Sequence, residues 1–381
     1  MNATPSGSRV FAGLDIDTVR PLRVDTGDGL PHRLYRSRSQ TFWLIPAGRE
    51  GRVAAASLYS PQSAGGRALR LAMRIGRWPG QRVALDEDAV RSLASRIGEP
   101  LGLSAVTLGF TVGPPRPANK FVVAVIGPEL TPVAFAKVAP SPESRRRLIT
   151  EEQVLTELAG HPELAWRVPR VIDHFSWQGT DVLLLTAGPV VPGPSQAGTS
   201  HLQFLRALQD ATRQATDFAG SATGRMLETA AAARSLTPEE RARYRRVADR
   251  LRAALGDATL PTALSHGDFI PTNTRLDGDD LWVFDWESAR GGDLPLNDVF
   301  HFNFALAALK GTREPDAWNA DAVRLLWPEA ADVLPELRLA YLSDVSWEYA
   351  RHLGAPNRSR QNPVLARAWS EIDRALAEMS G

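Results

Sequence analysis

The stretch that decides the fold is residues 265–273, SHGDFIPTN, which is followed at 281–287 by LWVFDWE. In the first segment Asn273 follows Asp268 by five residues, and in the second Asp285 ends a short apolar run. The first spacing lets a tight loop turn an amide back toward a carboxylate. An apolar run that ends in an acidic residue is typical of a buried strand that leads to a polar site. The two segments therefore predict carboxylate and amide oxygens gathered for chemistry.

This set of residue types suits phosphoryl transfer, in which the protein positions an acceptor hydroxyl and holds Mg²⁺ against the phosphates of ATP. Asp268 would accept the hydrogen bond and then the proton of the hydroxyl. Asn273 and Asp285 would be Mg²⁺ ligands, since Mg²⁺ takes few protein oxygens beside phosphates and water. An isolated His-Gly-Asp is usually a turn without a catalytic role, but the offsets of Asn273 and Asp285 favour catalysis. His266 is interpreted as a brace of the loop, and Glu287 either supports the metal through water or caps the next turn.

A β-rich region upstream predicts the nucleotide site. Lys137 lies at the end of the predicted strand Pro132–Val138, and Glu151 lies 14 residues later on the inward face of the predicted helix Arg145–Leu158. Only three of the 44 basic residues are lysines, and a compact ammonium group does what a guanidinium fork cannot. We expect Lys137 to pair with Glu151 and to bind phosphate. The alternatives are an edge-strand lysine without this role and Glu152 as the partner.

Two further parts of the nucleotide site are placed by position in the chain. Residues 184–187 are the expected hinge, with the backbone of Leu185 and Ala187 bound to the purine. The loop Gly113–Asn119 is the expected cover of the phosphates, although it has no G-x-G-x-x-G pattern. Lys120 directly after it is either a further phosphate contact or a solvated residue at a strand end.

The form H-G-D-x-x-x-x-N followed by D-x-E resembles the aminoglycoside phosphotransferase and choline kinase families, and the resemblance covers about residues 104–310. The resemblance implies that Asp268 is the catalytic carboxylate and that Asn273 and Asp285 bind Mg²⁺. It also implies that Asp298, which follows a Gly- and Pro-containing turn, braces the loop.

The expected function is transfer of the γ-phosphoryl group of ATP to a hydroxyl of a small molecule that is aminoglycoside-, amino alcohol- or sugar-like. The alternatives are a kinase for a lipid-linked or surface glycan and a nucleotide-binding pseudokinase. The presence of every residue that the family's chemistry needs argues against the pseudokinase.

The expected fold class is α+β, a bilobal protein-kinase-like fold with a small β-rich N-lobe, a larger α-helical C-lobe and an N-terminal extension. The expected domains are 1–103 as the extension, 104–190 as the ATP-binding lobe with its hinge, and 191–381 as the helical catalytic and acceptor-binding lobe. In the extension, residues 1–30 are expected to be irregular, followed by these elements: strands Thr41–Pro46 and Val53–Tyr59, and helices Ala64–Trp78 and Glu87–Ile97.

The extension is not needed for the expected chemistry, so we expect it to pack beside the β-rich lobe and to govern acceptor access or recruitment. Its helix Ala64–Trp78 carries a basic stripe at spacings of three and four, made of Arg67, Arg70, Arg74 and Arg77. A solvated helix face is the favoured interpretation, and a surface for anionic lipid or a phosphorylated partner is the alternative. Aromatic residues of the C-terminal helices are expected in the core, with an acceptor pocket as the alternative: Phe300, Phe302, Phe304, Tyr341, Trp347 and Tyr349.

The composition excludes several classes of function. The 381 residues carry 44 basic and 43 acidic side chains, a net charge of +1, which gives no basis for nucleic-acid binding. The absence of cysteine excludes disulfide scaffolds and thiol catalysis. No apolar run approaches the roughly 18–20 residues that cross a bilayer. We therefore expect a soluble cytoplasmic protein, with peripheral membrane contact the less favoured alternative.

Overall fold

The computed structural model describes most of the chain, namely residues 22, 24–25, 29–36, 41–58, 64–75, 81–113, 120–256, 259–310, 312, 314, 316–351 and 362–379. These residues form two compact units. The first contains the described residues up to Pro192 together with Trp282–Glu287, and the second contains Gly193–Leu281 and the described residues from Ser288 onward. The predicted α+β class is confirmed, since strands dominate the first unit and helices the second.

The first unit is built on a nine-stranded sheet with the strand order β1-β4-β2-β3-β5-β6-β7-β9-β8. Neighbouring strands are antiparallel throughout. The strands are β1 (Val24–Asp25), β2 (Leu30–Arg36), β3 (Phe42–Pro46), β4 (Gln81–Leu85), β5 (Thr107–Val112), β6 (Phe121–Ile126), β7 (Pro132–Ala139), β8 (Val171–Trp177) and β9 (Thr180–Thr186). A two-residue strand, β10 (Val191–Pro192), follows near the end of this part of the chain.

Side-chain alternation along β7 separates its two faces. Ala134, Ala136 and Val138 are buried in the large core of the unit. Phe135 packs instead in a smaller cluster around Ala124 and Ile126, the cluster that also contains Ala54. Lys137 has the parity of Phe135 and therefore leaves the sheet on that second face.

Among its described residues the first unit has five helices: α1 (Arg49–Leu58), α2 (Ala64–Ile75), α3 (Glu87–Leu101), α4 (Pro142–Ala159) and α5 (Pro162–Ala165). In α4 the side chain of Ser141 accepts a hydrogen bond from the backbone of Ser144, and Ser144 returns one, so the first turn is capped in both directions. Leu148, Glu151 and Leu155 of α4 are all buried, as their spacing of three and four residues predicts.

The prediction of a strand at Val53–Tyr59 is wrong, because residues 53–58 belong to helix α1. The run VAAAS is rich in alanine, the strongest helix former, and the small side chain of Ala54 packs in the cluster that contains Ala124 of the sheet. A Cβ added to Gly109 of β5 would lie 2.6 Å from the Cβ of Ala54. Strands β2 and β4 were also not predicted. Their hydrogen-bonding partners lie about 50 residues apart in the chain, so a local pattern carries little information about the pairing.

The sheet joins segments that the sequence assigned to different domains. Phe42 of β3 pairs with Val112 of β5, and Leu44 pairs with Phe110. Leu44, Phe110 and Val123 share one core cluster. The boundary expected at residue 103 therefore lies inside the first compact unit.

The described part of the second unit consists mainly of seven helices: α6 (Thr199–Thr212), α7 (Ala222–Ala232), α8 (Pro238–Leu255), α9 (Asn297–Lys310), α10 (Asp316–Leu326), α11 (Leu334–Ala350) and α12 (Pro363–Glu378). Three short strands form an antiparallel sheet in the order β11-β12-β15, with the bounds β11 (Gln214–Thr216), β12 (Leu260–Ser265) and β15 (Arg290–Asp293). Strands β13 (Thr274–Asp277) and β14 (Asp280–Val283) follow β12 in the chain. The C-terminal end of β12 leads directly into the segment that carries the candidate chemistry.

Candidate active site

The loop after β12 is held by a single buried carboxylate. Asp298 accepts hydrogen bonds from the backbone N–H of His266 at 2.7 Å and of Gly267 at 3.0 Å. Gly267 has a φ of 77°, and a Cβ there would lie 2.2 Å from the carbonyl oxygen of Ser288. Glycine is therefore required for this turn. Burial raises the pKa of Asp298, while the two backbone donors and His266 oppose that shift.

The loop presents Asp268 with 42% of its side chain exposed. The side-chain amide nitrogen of Asn273 donates to the carbonyl oxygen of Asp268 at 2.9 Å and to its Oδ2 at 3.0 Å. The Nε2 atom of His301 lies 3.4 Å from Asp268 Oδ1. Asn273 ends the single 3₁₀ turn Pro271–Asn273, so it folds back on Asp268. Because its nitrogen makes both contacts, its carbonyl oxygen is the atom left for a ligand.

Aromatic packing in the core of the second unit anchors this loop. Phe269 is fully buried and stacks on Phe204 with ring centroids 6.1 Å apart. His201 packs edge-on against Phe269 at 6.0 Å and against Phe302 at 4.6 Å. The residue after Asp268 is thus an apolar anchor, which fixes where the carboxylate emerges.

Sequence reasoning missed an ionic network next to the loop, in which the part-exposed Arg290 meets the buried Asp293 and Asp344. Arg290 lies 2.8 Å from Asp293 Oδ2 and 3.2 Å from Asp344 Oδ1. Ser265 Oγ donates to Asp293 at 2.6 Å, and Asn297 donates to Asp293 at 2.8 Å. Burial alone would lower the pKa of Arg290, but the two carboxylates outweigh it and raise that pKa. Asp293 and Asn297 lie in the same Gly- and Pro-containing run as Asp298, residues 291–298, so a local signal for them was present, whereas Asp344 is distant in sequence.

The first unit brings together the second group of predicted residues. Lys137 Nζ lies 2.5 Å from both carboxylate oxygens of Glu151 and 2.5 Å from Oδ1 of Asp285. Glu151 is fully buried, and it also accepts a hydrogen bond from the backbone N–H of Trp286 at 3.2 Å. The neighbouring candidate Glu152 contacts His174 Nδ1 at 2.6 Å instead.

A second lysine reaches the same carboxylate. Lys120 Nζ donates to Asp285 Oδ1 at 2.8 Å and also contacts Oε2 of Glu287. Burial alone would raise the pKa of Asp285, but Lys120 and Lys137 outweigh it and hold that pKa well below its usual range. Asp285 has a φ of 73°, uncommon for a residue with a side chain and frequent at functional sites.

The predicted hinge residues are found at the end of β9. Leu185 is buried and pairs with Phe135 of β7, two residues from the pair formed by Lys137 and Leu183. The backbone N–H of Ala187 donates to the carbonyl oxygen of Val133 at 3.4 Å, a long hydrogen bond.

Two predictions fall partly or wholly on residues outside the described ones. The proposed phosphate-covering loop is described only at Gly113, since 114–119 lie outside. In the basic stripe, Arg77 and the side chain of Arg67 lie outside, while Arg70 is half-buried and Arg74 exposed. The stripe therefore stays a prediction.

Each unit, taken separately, carries a side-chain oxygen of a kind that Mg²⁺ accepts. All described contacts of the Asp285 carboxylate go to Oδ1, so Oδ2 is the oxygen that faces no described cation. Asn273 offers its carbonyl oxygen. Carboxylate and amide oxygens are ligands that Mg²⁺ accepts.

The aromatic residues of the C-terminal helices are mostly core residues. Phe300, Phe302, Phe304 and Tyr341 are buried. Phe300 also lines a cavity of about 440 Å³, together with Glu314, Asn319, Leu334, Pro335, Arg338, Arg367, Glu371 and Arg374.

Solved structures of other proteins resemble this chain in fold. The chain is similar to the crystal structure of aminoglycoside phosphotransferase APH(4)-Ia, with 13% identity and a TM-score of 0.50 over 76% of this chain and 99% of that one. It is also similar to a choline/ethanolamine kinase family protein from Mesorhizobium loti, with 16% identity and a TM-score of 0.48 over 77% and 95%. A gentamicin complex of APH(2")-IIa has 14% identity and a TM-score of 0.45 over 74% and 95%.

The likeness to APH(4)-Ia confirms the predicted kinase-like fold. A comparison with curated protein sequences found no match. Among the described residues, no helix is long and apolar enough to cross a membrane. Residues 119–302 match the model of the phosphotransferase enzyme family, so this segment of the chain is similar to that family.

Proposed function

We propose that this chain is an ATP- and Mg²⁺-dependent kinase that transfers the γ-phosphoryl group of ATP to a hydroxyl of a small molecule. The observation that carries the proposal is that the carboxylate of Asp268 is both accessible and held in one orientation. Its carboxylate is part exposed, yet it is oriented by Asn273 and by a loop whose amides are held by Asp298. An exposed turn aspartate without a function would not need such support.

Asp268 is the proposed general base. With Oδ2 bound to Asn273, Oδ1 is the oxygen that accepts the hydrogen bond and then the proton of the acceptor hydroxyl. His301 lies on the Oδ1 side and is itself 3.3 Å from the hydroxyl of Tyr341. This contact favours one orientation of the imidazole beside the reacting group.

Lys137 is the proposed phosphate-binding cation. Glu151 is buried and bidentate toward Lys137, so it fixes the ammonium group at one position. The backbone of Leu185 and Ala187 is proposed to bind the purine. Bound Mg²⁺, held by Asp285 and Asn273, would neutralise charge that develops on the phosphates.

The acceptor class is proposed as aminoglycoside-, amino alcohol- or sugar-like. The cavity beside Phe300 is lined by both arginines and glutamates. Such a lining offers partners for hydroxyl groups and for either sign of charge, without selecting one compound.

The test is substitution of Asp268 by asparagine, followed by measurement of ADP formation against a panel of hydroxyl compounds. We expect Asp268→Asn to lower kcat by about 10²–10⁴-fold, the usual contribution of a general base. Affinity for Mg·ATP, measured by calorimetry, should stay within a few-fold. Asp279→Asn, in an exposed turn, is the matched control and should keep wild-type turnover.

Near wild-type turnover of Asp268→Asn would contradict the assigned base. If the wild type binds Mg·ATP but phosphorylates no member of a broad panel, the pseudokinase alternative gains support instead.

A further inference from the structure

We propose that Lys120 is a fixed cation that takes the place of a second divalent ion, so that the nucleotide site binds a single Mg²⁺. This inference takes one assumption from the proposed function, namely that the site binds a nucleotide. The contacts of Lys120 on which it depends are all made by residues of the first unit. It assigns a role to Lys120 and Glu287 that the family motif does not supply.

The position of Lys120 is the first observation. Its ammonium group lies between two carboxylates, 2.8 Å from Asp285 Oδ1 and in contact with Glu287 Oε2. Only 15% of the side chain is exposed. An ammonium group in this position occupies space that a metal ion shared by the two carboxylates would need.

The charge of the cluster is the second observation. Glu151, Asp285 and Glu287 have carboxylate oxygens within 4.8 Å of one another, an arrangement that can hold a metal ion by itself. Lys120 and Lys137 place two positive charges among these three negative ones, and Arg147 near Glu287 adds a third. Since the number of ligand charges sets the affinity for a divalent cation, this neutralised cluster suits an ion that is shared with nucleotide phosphates.

The individual oxygens give the third observation. Glu287 offers Oε2 to Lys120, and its Oε1 lies 3.7 Å from Arg147. Both oxygens of Glu287 therefore face cations. The Asp285 contacts go to Oδ1, so Oδ2 is the carboxylate oxygen of this pair left for Mg²⁺.

The residue type is consistent with this role. Of 44 basic residues only three are lysines, and two of those three meet at Asp285. A compact ammonium group approaches two carboxylates as a point charge, whereas a planar guanidinium demands a wider site.

The experiment is a Mn²⁺ titration followed by electron paramagnetic resonance, with and without ADP, on the full-length chain. For the wild type we expect one Mn²⁺ per chain with ADP and weak binding without it. Lys120→Met should bind a second Mn²⁺ with ADP, and without ADP it should bind Mn²⁺ at least tenfold more tightly. Lys120→Gln is the second variant, in case the methionine variant does not fold.

One control separates the role of Lys120 from a general change in charge. Arg147→Met removes a positive charge near Glu287 but leaves Lys120 in place, so it should behave as the wild type.

The inference is overturned if both neutral variants of Lys120 match the wild type in Mn²⁺ stoichiometry and affinity, or if Arg147→Met gains the same second ion. Failure of every variant to bind ADP would contradict the proposed function instead. The titration without nucleotide would still decide the role of Lys120.

Discussion

At the residue scale, the candidate catalytic loop depends on Gly267 as much as on the carboxylate that follows it. Its positive φ lets two consecutive backbone N–H groups reach Asp298, and the carbonyl oxygen of Ser288 lies where a side chain would begin. The orientation of Asp268 is therefore a property of the backbone before it.

We expect Gly267→Ala to lower kcat at least tenfold and to reduce the free energy of unfolding by about 1–3 kcal/mol, because the turn becomes strained and the new Cβ displaces the loop. Turnover and urea denaturation measure the two effects. Gly291→Ala is the matched control, since a Cβ there meets no atom within 4 Å. Equal behaviour of the two variants would show that the turn tolerates a side chain.

A second prediction at this scale concerns pH and His201. Burial lowers its pKa to about 4 from an ordinary value of 6.5. Between these values the unfolded chain binds a proton that the folded chain does not, so stability is lost as pH falls below about 6.5. The slope for this one group approaches about 1.4 kcal/mol per pH unit.

His201→Leu removes the titrating group, so its unfolding free energy should fall less steeply than that of the wild type between pH 6.5 and 4. Urea denaturation at a series of pH values measures the slope. The same slope for His201→Leu and the wild type would mean that His201 is already protonated in the fold.

At the scale of elements, helix α4 and strand β7 show how much the sequence could predict. The spacing of Leu148, Glu151 and Leu155 is a local property of one helix, and it correctly predicts that Glu151 faces inward. The alternation of β7 places Lys137 on one face in the same way. Helix α1 was mistaken for a strand because a short apolar run is compatible with the two-residue period of a strand and with the 3.6-residue period of a helix. Tertiary packing of the helix against Gly109 favours the helix.

At the scale of the whole molecule, the described chain has two compact units, and its N-terminal strands belong to the sheet of the first. Strand β3 covers the edge of β5 with backbone hydrogen bonds, and Leu44 completes the core around Phe110. Removal of these strands would expose both an unpaired edge and apolar side chains.

We therefore expect a chain truncated before residue 104 to lose soluble folding. Size-exclusion chromatography and circular dichroism of the truncated chain, with the full chain as control, measure this. A truncated chain that stays monomeric and binds Mg·ATP would show that the N-terminal segment is a separable module, and a role in acceptor access or recruitment would then be favoured.

The sequence alone determined the features that depend on neighbours in the chain. The return of Asn273 onto Asp268 spans five residues, and its geometry is set by local backbone preferences. The family resemblance followed from the same short segment. The pairing of Lys137 with Glu151 could also be predicted from the sequence, because the two residues lie on a strand and on the helix that follows it in the chain.

Only the tertiary structure decided the contacts between distant segments. Lys120 and Asp285 are separated by 165 positions, and Asp344 reaches Arg290 across 54. Strand β3 pairs with β5 only because an entire sheet assembles around them. Such contacts depend on the packing of whole elements rather than on the preferences of any one segment, so no local pattern in the chain encodes them.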